Sequence, residues 1–345
     1  MDGLIDEHGS IYMKNVVLAL TKGGEKLAEQ IVSGLADCSP QQIDESVAST
    51  LDKIWPAYDG IICIMAAGIV VRSIAPLCRD KKKDPCVIVL DEKGEFVVSL
   101  LSGHLGGGNR LAKRIAAITG GQPVITTSSD VVGCTAIDLW AKGNQLVVDD
   151  HRKLTTVAAK LVNQGFVTIY SDILVNSFPA DFKEVSNVRR CDIIFSHKRY
   201  TGNPALQLCP KNLVVGLGCN RDTGCNAFDI AVVELFEKEN IDRNSIAAFA
   251  SIDIKNDEKG LIEFAKDNNC PLLFYSKDEL NEVSGVSTSL AALSATGAKG
   301  VAEPAAILGA NSEAGPGKLI VRKHTWKDVT AAIAEKTVQL KEFAS

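Results

Sequence analysis

The chain has 345 residues, 46% of them hydrophobic and 23% charged, with a formal net charge of −5. That length exceeds what one hydrophobic core usually organises, so two or three domains are expected. The acidic balance gives no electrostatic reason for a nucleic-acid partner, and the longest uncharged apolar stretch, Gly60 to Val71, falls short of the roughly 18 residues of a membrane helix.

Met1 to Tyr12 are acidic where a signal peptide is basic and lack an apolar core, so export is not expected and the cytoplasm is the expected compartment. Apolar periodicity begins only after Met13. The preceding residues read as a loose extension, or as a start codon placed too early, and are excluded from the fold. Ten cysteines contain no C-x-x-C pair and no Cys/His cluster of zinc-finger type; they are expected to be reduced, mostly buried thiols.

Asn15 to Thr21 reads as a buried strand and Gly23 to Leu35 as a helix, with Leu27, Ile31 and Leu35 recurring every four residues. Gly60 to Met65 is a second buried strand, and Ala66 to Ile74 continue as a helix until Pro76 interrupts it. Val87 to Leu90 and Phe96 to Leu100 flank Asp91-Glu92-Lys93-Gly94, a hairpin turn. Gly106 to Ile118 is a helix with Leu111, Ile115 and Ile118 inward, followed by a short strand at Pro123 to Thr126. Strands alternating with helices imply an open, mainly parallel sheet whose ligands bind outside the carboxyl ends of the strands.

Further on, Leu154 to Gln164 is helical, and Phe166 to Tyr170 and Cys191 to Phe195 are strand-like. Thr201 to Asn212 is rich in turn residues and reads as a linker. Leu213 to Leu217 is then a strand, Gly218 to Gly224 a loop and Phe228 to Glu239 a helix, with strands at Ile246 to Ile252, Pro271 to Tyr275 and Leu319 to Val321. The expected fold is a three-domain α/β chain. A Rossmann-like open-sheet amino-terminal domain spans 13–138, a small α/β middle domain with linker spans 139–210, and a separate α/β carboxyl-terminal domain spans 211–345.

The most informative segment is Ser99 to Ala112, S-L-L-S-G-H-L-G-G-G-N-R-L-A, a strand running into a glycine loop and a cationic helix. Glycines at 103, 106, 107 and 108 let backbone N–H groups approach a ligand, and a helix amino terminus adds partial positive charge. A carboxylate or a developing oxyanion would be stabilised there, although a tight turn without ligand has the same signature. His104, inside the loop, is the histidine best placed to accept a proton near neutral pH.

Arg72 lies one turn into its helix and could clamp a carboxylate in a bidentate manner; a surface charge is the equal alternative. Arg79, Lys81, Lys82 and Lys83 form a basic run of the usually solvated kind. Thr126-Thr127-Ser128-Ser129-Asp130 supply hydroxyls and a carboxylate at a strand end, where helix capping is the simpler role. Gly216 to Thr223, G-L-G-C-N-R-D-T, has the form of an anion-binding loop with Gly218 at its start and Arg221 as counter-charge. Cys219 lacks the neighbouring histidine that an activated thiolate needs. Glu303, set in V-A-E-P-A-A, is either a desolvated acid/base or a first-turn residue favoured by the helix dipole.

Nearly end to end, these motifs resemble the cobalt-precorrin-5A hydrolase family of anaerobic cobalamin biosynthesis. The resemblance rests on Ser99 to Asn109, D-P-C-V-I-V-L-D at 84–91, P-V-I-T-T at 123–127 and A-I-D-L-W-A at 136–141. It continues in G-L-G-C-N-R at 216–221, A-S-I-D-I-K at 250–255, and the later V-A-E-P-A-A and V-T-A-A-I-A. Gly108 departs from the alanine expected there, and Ser128-Ser129 from alanine-threonine.

The resemblance implies an enzyme acting on a polycarboxylated cobalt tetrapyrrole whose δ-lactone is opened by water, after which a carbon–carbon bond breaks and acetaldehyde leaves. Cobalt would arrive with the substrate, so no protein-bound metal and no separate cofactor are expected. Such chemistry needs a base, oxyanion donors and cations. His104 could be the base, with Glu303 the next candidate. The Gly106 to Asn109 backbone could supply the donors, and Arg72, Arg110 and Arg221 the clamps. The substrate is the expected partner, with transient contact to neighbouring pathway enzymes. A non-catalytic protein that hands tetrapyrroles between those enzymes is the competing reading. A phosphate or nucleotide enzyme is a weaker one, because G-x-x-x-x-G-K-[ST] is absent.

Overall fold

A computed structural model describes residues 13–80, 83–104, 106–127 and 132–341. The contacts divide the chain into two units, Met1–Gly133 and Cys134–Ser345.

The first unit is built on six strands, β1 (Asn15–Ala19), β2 (Cys38–Pro40), β3 (Gly60–Ile64), β4 (Cys86–Leu90), β5 (Phe96–Leu101) and β6 (Gln122–Val124), in the order β2-β1-β3-β4-β5-β6. β1, β3 and β4 are almost continuously apolar because helices cover both faces of the sheet. Leu27 and Ile31 of α1 (Lys22–Gly34) and Leu111 and Ile115 of α4 (Gly108–Thr119) fill one face. Leu51 and Ile54 of α2 (Val47–Ile54) and Val70 and Ile74 of α3 (Ala67–Ile74) fill the other. Each such fully buried aliphatic side chain contributes about 1.5–3 kcal/mol.

All neighbouring strands in this sheet are parallel except β4 and β5, which form the expected hairpin, with Leu90 opposite Val97 and Val87 opposite Leu101. Asp91 builds its turn by accepting from the backbone N–H groups of Lys93 and Phe96. The hairpin reverses the direction of β5 and of β6 beside it.

The second unit holds two further five-stranded sheets. One has β7 (Val147–Val148), β8 (Val167–Ser171), β9 (Phe182–Glu184), β10 (Ile193–Phe195) and β11 (Leu206–Cys209) in the order β7-β11-β10-β8-β9. β11 lies inside the turn-rich segment read as a linker: its side chains are buried and it pairs with β10 and β7. Helices α5 (Ile137–Gly143) and α6 (His151–Gln164) pack on this sheet, and Trp140 meets Phe182 edge-on at 5.2 Å between centroids.

The other sheet has β12 (Leu213–Cys219), β13 (Ile246–Ile252), β14 (Leu272–Tyr275), β15 (Lys318–Thr325) and β16 (Val329–Glu335) in the order β14-β13-β12-β16-β15. On one face lie α7 (Cys225–Lys238) and α8 (Lys259–Asp267); on the other lie α9 (Lys277–Glu282) and α11 (Ala302–Ala310), with the short α10 (Leu290–Thr296) between them in the chain. Beyond β16 the chain returns to the first of these sheets. Asn176 exchanges two hydrogen bonds with the backbone of Leu340, and Asn144 two with that of Lys341.

Candidate active site

The glycine loop between β5 and α4 is closed by its own backbone. Gly107 N–H donates to the His104 carbonyl at 2.9 Å, Gly108 N–H to that of Ser102 at 3.3 Å, and Asn109 N–H to that of Gly103 at 2.8 Å. Gly107 precedes α4 with φ of 79°, a left-handed conformation in which glycine carries no steric penalty. The N–H groups of Gly107, Gly108 and Asn109, expected from the sequence to serve as oxyanion donors, are spent on the turn. The first turn of α4 still presents the positive end of its dipole.

Side chains gather around this turn. The Asn109 amide, on a residue only 6% exposed, donates to the Thr127 hydroxyl oxygen at 3.0 Å. Because that oxygen accepts from Asn109, the Thr127 O–H proton is directed elsewhere. Half-buried Gly103, His104 and Gly106 line the turn, Thr126 adjoins Thr127, and exposed Arg110 extends past Met13, whose sulfur lies 4.0 Å from its guanidinium. Leu105, Lys81, Lys82 and Ser128-Ser129-Asp130 lie outside the described residues.

Arg72 is not part of this group. Leu101 is level with Val87, near the beginning of β4, whereas α3 starts beyond the end of β3. The Arg72 side chain runs back along α3 towards Gly68, to the edge where β1, β3 and β4 end. The five residues of β3 put roughly 13 Å between the two edges at about 3.3 Å per residue. The hairpin thus places the glycine loop at the beginnings of the parallel strands, not outside their carboxyl ends.

In the carboxyl-terminal sheet, Gly218 is a strand residue and not the start of a loop: β12 runs to Cys219. A Cβ on Gly216 would come within 1.9 Å of the Ala302 carbonyl oxygen, so this glycine admits the close approach of α11. A Cβ on Gly218 would meet the Thr330 hydroxyl at 2.6 Å. Both glycines serve packing between β12 and its neighbours.

Arg221 borders a cavity of roughly 400 Å³ between the loops before α7 and α8. Its guanidinium is already paired with Asp257, lies 3.8 Å from Glu258 and donates to the Ile254 carbonyl. Glu258 in turn holds Lys255 at 3.2 Å, both side chains being buried. Arg221 therefore joins two loops, and Asp222, Asp257, Glu258 and Glu263 give the cavity more carboxylates than cations. Lys255 closes a short 3-10 turn and Glu258 immediately precedes α8, so the loop between them and not one helix brings the pair together.

Glu303, 2% exposed in the first turn of α11, accepts from Ser287 N–H at 2.6 Å, Ser287 Oγ at 3.0 Å and Lys323 N–H at 2.9 Å. Burial opposes its ionisation, but these bonds and Arg322 outweigh it and hold its carboxyl below the ordinary glutamate value. A carboxylate so satisfied ties the Ser287 loop to β15 and is a poor proton acceptor. Cys219 is unsuited to nucleophilic attack, since burial pushes its thiol up to about 11 despite Lys255 nearby. Among the described residues no group of three or more His, Cys, Asp or Glu side chains is arranged to hold a metal ion, and no helix is long and apolar enough to cross a membrane.

Three open sheets of five or six strands, with a histidine, hydroxyls and a cation gathered at a strand–glycine turn–helix junction, define a multidomain α/β protein. Two family descriptions match it: Cobalamin synthesis G N-terminal over residues 49–130, and Cobalamin synthesis G C-terminus over residues 213–334. The cobalt-precorrin-5A hydrolase of Priestia megaterium is 34% identical over 288 residues, covering 78% of this chain and 77% of that one. That of Salmonella typhimurium is 30% identical over 292 residues, covering 77% and 83%. A crystal structure of a cobalamin biosynthesis protein G homolog from Sulfolobus solfataricus is 21% identical over 93% of this chain and 96% of that one, with a TM-score of 0.38. The chain belongs to the cobalt-precorrin-5A hydrolase family.

Proposed function

We propose that the chain hydrolyses the δ-lactone of cobalt-precorrin-5A and releases acetaldehyde, giving cobalt-precorrin-5B. The observation that carries this reading is identity of 30% or more, over more than three quarters of the chain, to relatives that bear that enzyme's name. In this reading His104 takes a proton from water as it adds to the lactone carbonyl. The tetrahedral oxyanion is met by the Thr127 O–H and the positive end of α4, and Arg110 pairs with a peripheral carboxylate. Collapse breaks the C–O bond of the lactone. The freed hydroxyl then loses its proton as the carbon–carbon bond to the macrocycle breaks, its oxygen becomes the carbonyl of acetaldehyde, and the bonding pair stays on the ring carbon to be protonated. Cobalt belongs to the substrate.

The test is a single-turnover reaction of purified protein with cobalt-precorrin-5A, without added metal or nucleotide. About one acetaldehyde per substrate consumed is expected, since one two-carbon fragment leaves per bond cleaved. Lactone opening without acetaldehyde would leave only the first half of the mechanism. Substrate binding with neither event would instead identify a carrier.

A further inference from the structure

We propose that Ser102 is a positioning residue for His104, an inference that rests on the reading of His104 as the base. Ser102 has φ of 52°, in the left-handed region that residues with a Cβ rarely adopt. Three contacts hold it there. Its hydroxyl donates across the sheet edge to the Asp84 carbonyl at 3.2 Å, and its own carbonyl accepts from Gly108 N–H at 3.3 Å. Its Cβ lies against Gly106, where any side chain would approach it to 2.5 Å.

Asp84 is itself fixed, because its carboxylate accepts from the backbone N–H groups of Arg79 and Asp80. Ser102 is thus a pivot anchored outside the loop, two residues before His104, whose carbonyl is locked by Gly107 N–H. With the backbone held on both sides, the left-handed turn sets the Cα–Cβ direction from which the imidazole projects. The hydroxyl acts on the backbone and makes no contact with substrate.

Ser102→Ala and Ser102→Gly both remove the hydroxyl but differ in what they ask of the backbone. Alanine keeps the Cβ penalty of the left-handed region and loses the anchor, whereas glycine adopts that conformation freely. In single turnovers, Ser102→Ala is expected to lower kcat by about 30-fold with KM nearly unchanged, and Ser102→Gly by about threefold, because small misplacement of a catalytic group is costly while binding is untouched. In the His104→Ala background the difference between the two should vanish. Equal losses for alanine and glycine would make the hydroxyl a direct participant and overturn the proposal, as would a wild-type rate for Ser102→Ala. If His104→Ala is slow yet the alanine–glycine difference persists in it, the positioning inference fails and the base stands. If His104→Ala alone turns over at the wild-type rate, the base reading itself fails.

Discussion

The Asn109 side chain donates to the Thr127 hydroxyl oxygen at 3.0 Å, joining the first turn of α4 to the segment after β6 across 18 residues of sequence. The two segments meet because β5 and β6 run in the same direction and end at the same edge of the sheet.

Thr127→Val tests that bond. It leaves the buried Asn109 amide without this acceptor, so we expect destabilisation of about 1–3 kcal/mol in urea unfolding followed in the first unit. We also expect a lower single-turnover rate than folding loss explains, since the O–H assigned to the oxyanion is gone. A rate equal to wild type in the folded fraction would remove Thr127 from the chemistry.

His104→Ala should reduce the chemical rate by about 10²- to 10⁴-fold while leaving substrate affinity nearly intact. The wild-type rate should fall towards acidic pH as the base takes up a proton, and the variant should lose that limb. An acidic limb preserved in His104→Ala would place the base on another residue.

Glu303 gives a stability prediction with a definite sign. Its folded-state pKa is depressed, so its contribution is present above the unfolded value of 4.5 and is lost as pH falls through the lower folded value. Glu303→Gln, which faces N–H donors with an amide that can accept through one oxygen only, should destabilise the second unit by about 1–3 kcal/mol near neutral pH. Denaturation midpoints of variant and wild type should converge below that window. A Glu303→Gln variant of undiminished stability but abolished turnover would restore Glu303 as a catalytic group.

Gly216→Ala separates packing from ligand binding in G-L-G-C-N-R. The added methyl would overlap the Ala302 carbonyl, so overpacking should destabilise the second unit by about 1–3 kcal/mol or more. Lost substrate affinity with unchanged thermal stability would show instead that the glycine makes room for a ligand.

Element type was largely legible in the sequence because it depends on local period and on punctuation. The apolar run Val16 to Leu18, the four-residue spacing of Leu27 and Ile31, and the Asp91–Gly94 turn carry their own signals. The helix α2 is marked by Val47, Leu51 and Ile54, although Ser49 and Thr50, both weak helix formers, blur its local signal. The composition of Thr201 to Asn212 concealed β11, since four residues buried by neighbouring strands need no amphipathic pattern.

By itself the sequence determined the family, the alternation of strands and helices, and the glycine loop around His104, all readable from residue order along short segments. Tertiary structure alone decided the company these residues keep. Arg72 and Arg110 look equivalent as cations near helix starts, but the direction and order of β5 send them to opposite edges of one sheet. Arg221 is matched by Asp257, and Glu303 is surrounded by Ser287 and Lys323 N–H groups, through contacts spanning 16 to 36 residues. Charge and desolvation depend on distance in space, and strand pairing sets that distance without leaving a local trace in sequence.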